Sequence, residues 1–528
     1  MIRLDQIKLR AGEPDEALRA KIEKRLGMPS GSLGSFRVLS ESVDARNKPE
    51  IYRVFNVAVP EEGDAPEKAY EDFLPRRAAA GSFDERPVIA GFGPCGMFAA
   101  LRLAQAGACP IVAERGASMD ERVKAVEAFW GGGALDVMAN AQFGEGGAGT
   151  FSDGKLTTGT KSPWSEYILR SFVRAGADPD ILYRQRAHIG TDVLRRAVVN
   201  IRNEIIRLGG EIRFRTQLTA VDVQGGKLRG VWLNGSEYVK TGALIFAPGH
   251  SSRDSLRYFA DLGLMMEQKP FSMGVRIEHL QRDIDAAQYG APHGELGLWP
   301  AEYKLSVKLG SGRGVYTFCM CPGGFVVASA SEPGLLVTNG MSLRARDGEN
   351  ANSAVLVDVR PEDLPSSDPL AGLAMQERYE RLAFELGGCD NFAPAQRVCD
   401  FLGTASRAAA LRCGSDDPEP SYRPGVRSAD ISACLPPFVS GSLREALPLL
   451  GRKLRGFDAP GALLTAIESR SSSPVRIKRA ASLEALAADG SVIEGLYPGG
   501  EGAGYAGGIM SAAQDGVRLA EQILSLHL

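Results

Sequence analysis

The sequence is short of the residues that most often hold metals. It has five histidines, no His-Glu-x-x-His and no Cys-x-x-Cys. Zinc and dithiol chemistry are therefore set aside, and no metal site is expected. The eight cysteines are scattered. Cys319 and Cys321 form only a Cys-x-Cys, read as buried reduced thiols in a cytoplasmic protein. No apolar run reaches a membrane-spanning length. The opening stretch, MIRLDQIKLRAGEPDEALRAK, lacks the apolar core of a signal peptide. A large charge of one sign is missing too: the net charge is −3, which gives no electrostatic case for a nucleic-acid partner. What remains is an ordinary globular composition, 44% hydrophobic and 24% charged, over 528 residues. That is too long for one core, so two or three domains are expected.

The most informative stretch is Pro87 to Gly116. Val88-Ile89-Ala90 reads as a buried strand that runs into Gly91-Phe92-Gly93-Pro94-Cys95-Gly96. A helix, Met97 to Ala106, follows, and then a second strand, Pro110 to Ala113, that ends on Glu114 and Arg115. This is a Gly-x-Gly-x-x-Gly dinucleotide fingerprint in its strand, turn, helix, strand and acid setting. Gly91 permits the tight turn, Gly93 lets backbone approach a pyrophosphate, and Gly96 lets the helix pack on the strand. The helix start, with Pro94 and Cys95, offers free N–H groups and the positive end of its dipole. Glu114 stands where a carboxylate can accept both hydroxyls of an adenosine ribose.

A second stretch packs five glycines, Gly144, Gly146, Gly147, Gly149 and Gly154, around Thr150, Ser152 and Asp153, with Lys155 just beyond. No strand or helix tolerates that density, so it is expected as an ordered loop along a pyrophosphate and a flavin ring. Next comes a helix, Asp192 to Leu208, for which Thr191 or Asp192 can serve as cap. Glu211 to Gln217 reads as a strand of the parallel sheet. Two more strands follow, with turns at Gly225-Gly226 and Asn234-Gly235. Leu244-Ile245-Phe246 then runs into Ala247-Pro248-Gly249-His250. This meander layout separates flavoproteins of the glutathione-reductase type from plain NAD dehydrogenases. A third glycine turn, with Gly500, Glu501, Gly507, Gly508 and Ile509, sits between a strand and a last helix ending at Leu526. The start of that helix would face the flavin N1–C2=O edge.

The fold class expected is α/β, with three parts. Residues 1–84 form a small βαββ module, half of a ferredoxin-like unit. It comprises Ile2 to Leu9, a helix from Pro14 to Leu26, and a hairpin turning at Asp44 to Pro49. Arg37, Arg46, Lys48 and Arg53 give the hairpin a basic cast, read as a solvated sheet face. Ala65 to Phe83 is a linker. Residues 85–268 and 462–528 form a glutathione-reductase-like FAD-binding Rossmann domain with a β-meander. Residues 269–461 form an inserted, mixed α+β substrate-side domain. Its strands are Lys269 to His279, Val315 to Met320, Phe325 to Ser329 and Ala354 to Asp358. Its helices are Pro369 to Leu386 and Ser442 to Leu450, and its clearest loop is Cys413 to Gly425. Ala462 to Ser469 is expected as helix, and Ser471 to Pro474 returns the chain to the first domain.

With these segments in hand, GFGPCGMFAALRLAQAG, NAQFGEGGAGTFSDGKL, HIGTDVL, APGHSSRDS, KPFSMGVRIEH and YPGGEGAGYAGGIMSAAQDG, the chain resembles a bacterial family of uncharacterised FAD-dependent dehydrogenases, the NAD(FAD)-utilising dehydrogenases. The likeness runs over about residues 88 to 516, and the N-terminal module also looks like the family's. It implies bound FAD on a glutathione-reductase-like domain, and it implies no particular substrate. No second Gly-x-Gly-x-x-Gly follows a strand, so a nicotinamide (NADH or NADPH) would bind transiently near the flavin, or another reductant serves.

The flavin would carry the electron chemistry, and the protein would supply positioning and protons. Candidates for proton handling are Glu145, Asp153, Lys155, His250, Glu278, His279, Arg470, Glu501 and Tyr505; the catalytic candidates among them are Lys155, Glu278, Arg470 and Tyr505. Glu501 either holds the ribityl chain and its turn or handles a proton. His250 touches the adenine or phosphate side or is a turn residue. Lys155 faces the flavin or pairs with Asp153. Arg276 and Glu278 read as an ion pair on a sheet face, and Arg470 as surface charge or as a clamp on an anionic substrate. The leading reading is an FAD-dependent oxidoreductase moving a hydride to or from a small organic molecule. The alternatives are a flavin-dependent RNA-modifying or RNA-associated protein, and a non-catalytic flavin-holding redox sensor or scaffold.

Overall fold

The computed structural model describes residues 1–526 apart from 62, 65–67, 79–81 and 405–415. A five-stranded parallel sheet organises the cofactor side. Its strands run in the order Leu496–Pro498, Leu244–Phe246, Val88–Ala90, Ile111–Ala113 and Glu211–Arg213. Each is only three residues long. Successive side chains point to opposite faces, and both faces are covered. Ile89, Val112, Ile245 and Tyr497 join one core with the helices Pro94–Gln105, Thr191–Arg207 and Ile509–Ser525. Val88, Ile111, Leu244, Phe246 and Leu496 join a second core with the three-stranded meander Leu218–Gln224, Lys227–Leu233 and Glu237–Lys240.

A seven-stranded sheet carries the other side. Phe271–Leu280 and Asn350–Val359 are its centre, paired along their whole length, and every residue of Phe271–Leu280 is buried. The helices Ala371–Leu386 and Pro437–Gly451 pack against it. Here the structure corrects the sequence reading. Ala462 to Ser469 is not a helix. Leu463–Glu468 is a fully buried strand that pairs with Phe271–Leu280 on one side and Ala393–Arg397 on the other. The second sheet therefore extends past residue 462, and the chain crosses back only after Glu468. The short run LLTAIE has no periodicity to tell strand from helix, and sheet pairing decides it.

The N-terminal elements come out as Ile2–Arg10, Glu16–Leu26, Arg37–Asn47 and Glu50–Val59, with the last strand in the middle of an antiparallel sheet. Arg46 pairs with Asp44, and Arg53 with Asp15 and Glu41. The expected linker and the loop Cys413 to Gly425 fall partly outside the described residues; the described part of the linker contains a short turn of helix, Tyr70–Phe73. The cap expected for Thr191–Arg207 is absent. Gly190 is the N-cap, the Thr191 hydroxyl donates to the Ser152 carbonyl, and Asp192 accepts from the Arg344 backbone N–H. Among the described residues, no helix is long and apolar enough to cross a membrane.

Candidate functional site

The carboxyl ends of the parallel strands open onto one cavity of about 850 Å³, closed on its other side by the seven-stranded sheet. This is where an open α/β sheet binds its ligand. The three glycine turns, far apart in sequence, meet there. Gly91 has φ +99, and a side chain on it would drive into the Ala247 carbonyl. Gly147 has φ +65, and a Cβ on it would lie 2.8 Å from Gly93 Cα, so the first and second turns touch backbone to backbone. A Cβ on Gly500 would lie 2.9 Å from Cys95 Cβ, which brings the third turn onto the first. A Cβ on Gly149 would lie 3.0 Å from Ile509, closing the ring of contacts.

Glu114 ties the first two turns together. Its Oε2 accepts from the Phe92 N–H at 2.7 Å, and its Oε1 from Gly116 at 2.8 Å and Gly144 at 3.0 Å. Two helix starts face the cavity without side-chain caps. Gly93 precedes Pro94–Gln105, and Gly508 precedes Ile509–Ser525. Their first N–H groups have no partner within the helix and carry the positive end of its dipole.

The second turn has no regular structure, and one buried guanidinium orders it. Arg122 donates to the carbonyls of Asn140 (2.9 Å), Ala141 (3.1 Å), Glu145 (2.7 Å) and Gly147 (3.0 Å), and to the Thr150 hydroxyl (2.7 Å). Burial pulls its pKa down to about 9, against the attraction of Glu114 and Glu145. Sequence reasoning missed this residue. The signal was there: Arg122 sits in the buried stripe Met119, Arg122, Val126, Phe129 of an otherwise amphipathic helix.

Of the residues expected to hold a cofactor, Gly91, Gly93, Pro94, Cys95, Glu114, Arg115, Gly144, Gly147, Gly149, Ser152, Gly154 and Lys155 line the cavity. So do Gly249, His250, Gly500, Glu501, Gly507, Gly508 and Ile509. Gly96, Gly146 and Thr150 do not. Gly96 lets its helix sit on the Gly91 carbonyl, while Gly146 and Thr150 pack behind the loop. Arg115 is turned to Asp254, at 2.8 Å, with its guanidinium over the Phe143 ring. His250 Nδ1 lies 3.0 Å from Glu501, and its Nε2 is buried without a partner.

The candidates for chemistry divide sharply. Lys155 pairs with Asp153 at 3.1 Å and donates to the Met320 carbonyl, so it both pairs and faces the cavity. Burial works against its ammonium, but Asp153 outweighs this and holds the pKa above the ordinary lysine value. Asp153 is itself held well below the carboxylate range despite burial, by Lys155 and by Arg346 at 2.9 Å. Arg470 is not surface charge. It is buried against Glu380 at 2.8 Å and donates to Ser251 and Ser331. Arg253 pairs with the same carboxylate at 2.8 Å, which joins the start of the helix Arg253–Asp261 to the helix Ala371–Leu386. Tyr505 lines the cavity, but its hydroxyl donates to the Ile477 carbonyl and its ring lies under Arg479.

Glu278, Glu145 and His279 lie away from the cavity lining. Glu278, on the central strand of the seven-stranded sheet, accepts from Asn350 and Ser421. Glu145 accepts from the Met119 N–H and pairs with Arg202 at 2.9 Å. His279 is bonded to the Phe457 carbonyl. Nor do Arg276 and Glu278 pair. Arg276 is fully buried against Glu468, and it also donates to Asn339 and the Cys319 carbonyl, which places all three on the cavity wall. Lys269 and Arg476, which also line the cavity, were not singled out by sequence.

Residues 270–471 match the family model described as FAD-dependent protein, C-terminal domain-like, and residues 1–60 match a domain of unknown function. A Clostridium beijerinckii protein described as uncharacterized is 43% identical over 537 residues, covering 99% of this chain and 98% of that one. The chain belongs to this FAD-dependent protein family. Among solved structures, the flavin-dependent brominase Bmp2 is similar at 11% identity and a TM-score of 0.37, over 83% of this chain and 80% of that one. Glycine oxidase from Bacillus cereus is similar at 10% identity and a TM-score of 0.33, over 84% and 96%.

FAD is the cofactor of this FAD-dependent protein, and the cavity fits it on three counts. Backbone comes close enough for phosphates only because glycines stand at the crossing of the first two turns. Glu114 has accepted three N–H bonds, and a carboxylate offers about four acceptor positions, which leaves one for a hydroxyl. His250 Nε2 is a buried polar atom in need of a partner.

Proposed function

We propose that the protein is an FAD-dependent oxidoreductase whose substrate is a small organic molecule lodged between the glycine turns and the second sheet. The observation that carries this reading is the meeting of the three turns, with two uncapped helix starts, at one cavity. FAD, when bound, supplies hydride exchange with the substrate. The chain's own residues bind, orient, exclude water and fix charge.

In this reading the first turn and the start of Pro94–Gln105 hold the pyrophosphate, Glu114 holds a ribose hydroxyl, and His250 and Glu501 hold the middle of the cofactor. The start of Ile509–Ser525 offers N–H groups where negative charge gathers on the isoalloxazine. Lys155 keeps its proton across the neutral range, so it acts as a fixed cation rather than a base. Cys319 and Cys321 stay protonated, because burial pushes both thiols up, Cys321 to about 12; neither is a nucleophile at neutral pH. The cofactor-binding part is residues 85–268 with the chain after Glu468, the substrate-side part lies between them, and residues 1–84 are a separate module. NADH or NADPH serves as a transient reductant, and the protein is placed in the cytoplasm.

The test is an anaerobic titration of the purified protein with NADH and NADPH, followed by the flavin absorbance near its visible maximum. The reading expects bleaching with at least one donor and recovery with an organic acceptor. A flavin that no nicotinamide, quinone or organic substrate reduces contradicts catalysis and leaves the scaffold reading.

A further inference from the structure

One wall of the cavity carries two cations, Lys269 and Arg476, of which only Arg476 has an acid in contact among the described residues, Glu267 at 3.5 Å. Lys269 is half-buried where the chain enters the second sheet, just before Phe271–Leu280. Its Nζ donates one hydrogen bond among the described residues, to the Ser473 carbonyl at 3.5 Å, the limit of hydrogen-bond reach. Among the described residues, no carboxylate forms an ion pair with it. Glu501 favours its charge from farther off but is in contact with His250. Burial, followed by the guanidinium of Arg476, pushes the Lys269 amine below the ordinary lysine range.

Arg476 is held in place to keep this arrangement. Its Nε donates to the Gly504 carbonyl at 3.3 Å, its guanidinium lies 5.4 Å from the Tyr505 ring centre, and its outer edge is 3.5 Å from Glu267. Three other cations of the wall have close acids: Lys155 has Asp153, Arg470 has Glu380 and Arg115 has Asp254, while the exposed Lys304, without an ion pair among the described residues, stands toward solvent. Two neighbouring like charges, one of them without an acid in contact, are costly unless something else supplies the anion.

We propose that Lys269 and Arg476 form an anion subsite that binds the carboxylate of a small-molecule substrate. The proposal rests on the oxidoreductase reading and deepens it by naming the substrate class. A guanidinium and an ammonium side by side give a carboxylate a planar fork and a point charge at once. The cofactor's own phosphates are the other source of an anion, but they belong elsewhere. Their turn, Gly91 to Gly96, packs on Gly147, Gly500 and Gly516, whereas Lys269 and Arg476 stand against Ser473 and the middle of the third turn, Gly504 and Tyr505.

The experiment titrates the FAD-loaded protein with acetate, pyruvate and benzoate in low-salt buffer by calorimetry, with pyruvamide and benzamide as uncharged counterparts. At least one carboxylate is expected to bind saturably and its amide is not. Lys269→Met and Arg476→Met are each expected to weaken the carboxylate about tenfold or more, and Lys269→Arg to recover most of it. FAD content per chain is expected to match the unaltered protein in all three variants. The proposal is overturned if no carboxylate binds, if acid and amide bind alike, or if Lys269→Met sheds its FAD, which would assign the ammonium to the cofactor phosphates. The starting absorbance separates this from the parent reading. A chain that cannot be loaded with flavin removes the oxidoreductase reading, whereas a yellow chain indifferent to carboxylates removes only the subsite.

Discussion

Replacing Gly508 by valine should empty the site without harming the fold. Gly508 is the N-cap of Ile509–Ser525, with φ 166, an extended backbone that any residue adopts. It is exposed, lines the cavity, and a Cβ placed on it meets no atom within 4 Å. The valine loses a modest cap preference of glycine and gains from a stiffer unfolded chain, each about 0.5–1 kcal/mol, so the FAD-free protein should keep its stability to within about 1 kcal/mol. Its methyls then stand where a ligand would meet the helix start. Two or three hydrogen bonds at about 1 kcal/mol each are lost, with about 0.5 kcal/mol of dipole attraction. The sum, about 2.5–3.5 kcal/mol, is a loss of FAD affinity of about 70- to 400-fold. The assay is fluorescence titration of the FAD-free protein with FAD, alongside its thermal melt. An unchanged melt with full FAD affinity would refute the placement of this helix start. Gly96→Ala is the contrast: its Cβ would collide with the Gly91 carbonyl, so that variant should fail in folding as well as in binding.

Three further outcomes are expected. Arg470→Gln leaves Glu380 buried beside Arg253 alone, and urea unfolding should show a loss of about 3–5 kcal/mol; a loss under about 1 kcal/mol would contradict the network's role. Burial lowers His188 to about 3 and His279 to about 4, so both stay neutral in the folded chain while the unfolded chain takes up their protons below about pH 6.5. The histidine contribution should therefore be constant above neutrality, and stability should fall on acidification at up to about 1.4 kcal/mol per pH unit for each histidine. Glu380, lowered to about 2, adds to the loss once the pH passes below about 4.5. Equal urea midpoints at mildly acidic and neutral pH would contradict this. In thiol titration of the native protein, exposed Cys389 should react ahead of the other described thiols, and buried Cys321 only on unfolding; its prompt reaction would show the wall to be open.

The cofactor half was legible because glycine-dependent turns leave a local mark. Gly91 to Gly96, Gly144 to Gly154 and Gly500 to Gly508 each announce backbone that comes close to something, and in the structure each comes close to the others. The charged side chains were not legible, because their partners are set by tertiary pairing. Arg276 was read against Glu278, two residues away on the same strand face, yet its acid is Glu468, supplied by a neighbouring strand. Arg470 looked like surface charge until Arg253 and Glu380 closed around it. Leu463–Glu468 was lost for a related reason: six apolar-rich residues carry no period, and only the strands on either side make them a strand. Lys269 gave no sign at all, since a lysine without an acid in contact is visible only once every neighbour has been placed.

The most direct measurement is the flavin content of the purified protein. The chain is released from its ligand by heat or acid, and the freed flavin is identified and counted against protein. Close to one FAD per chain, retained through gel filtration and lost in the Gly508→Val variant, is the predicted result. A colourless protein that takes up no FAD on reconstitution would contradict the account at its root.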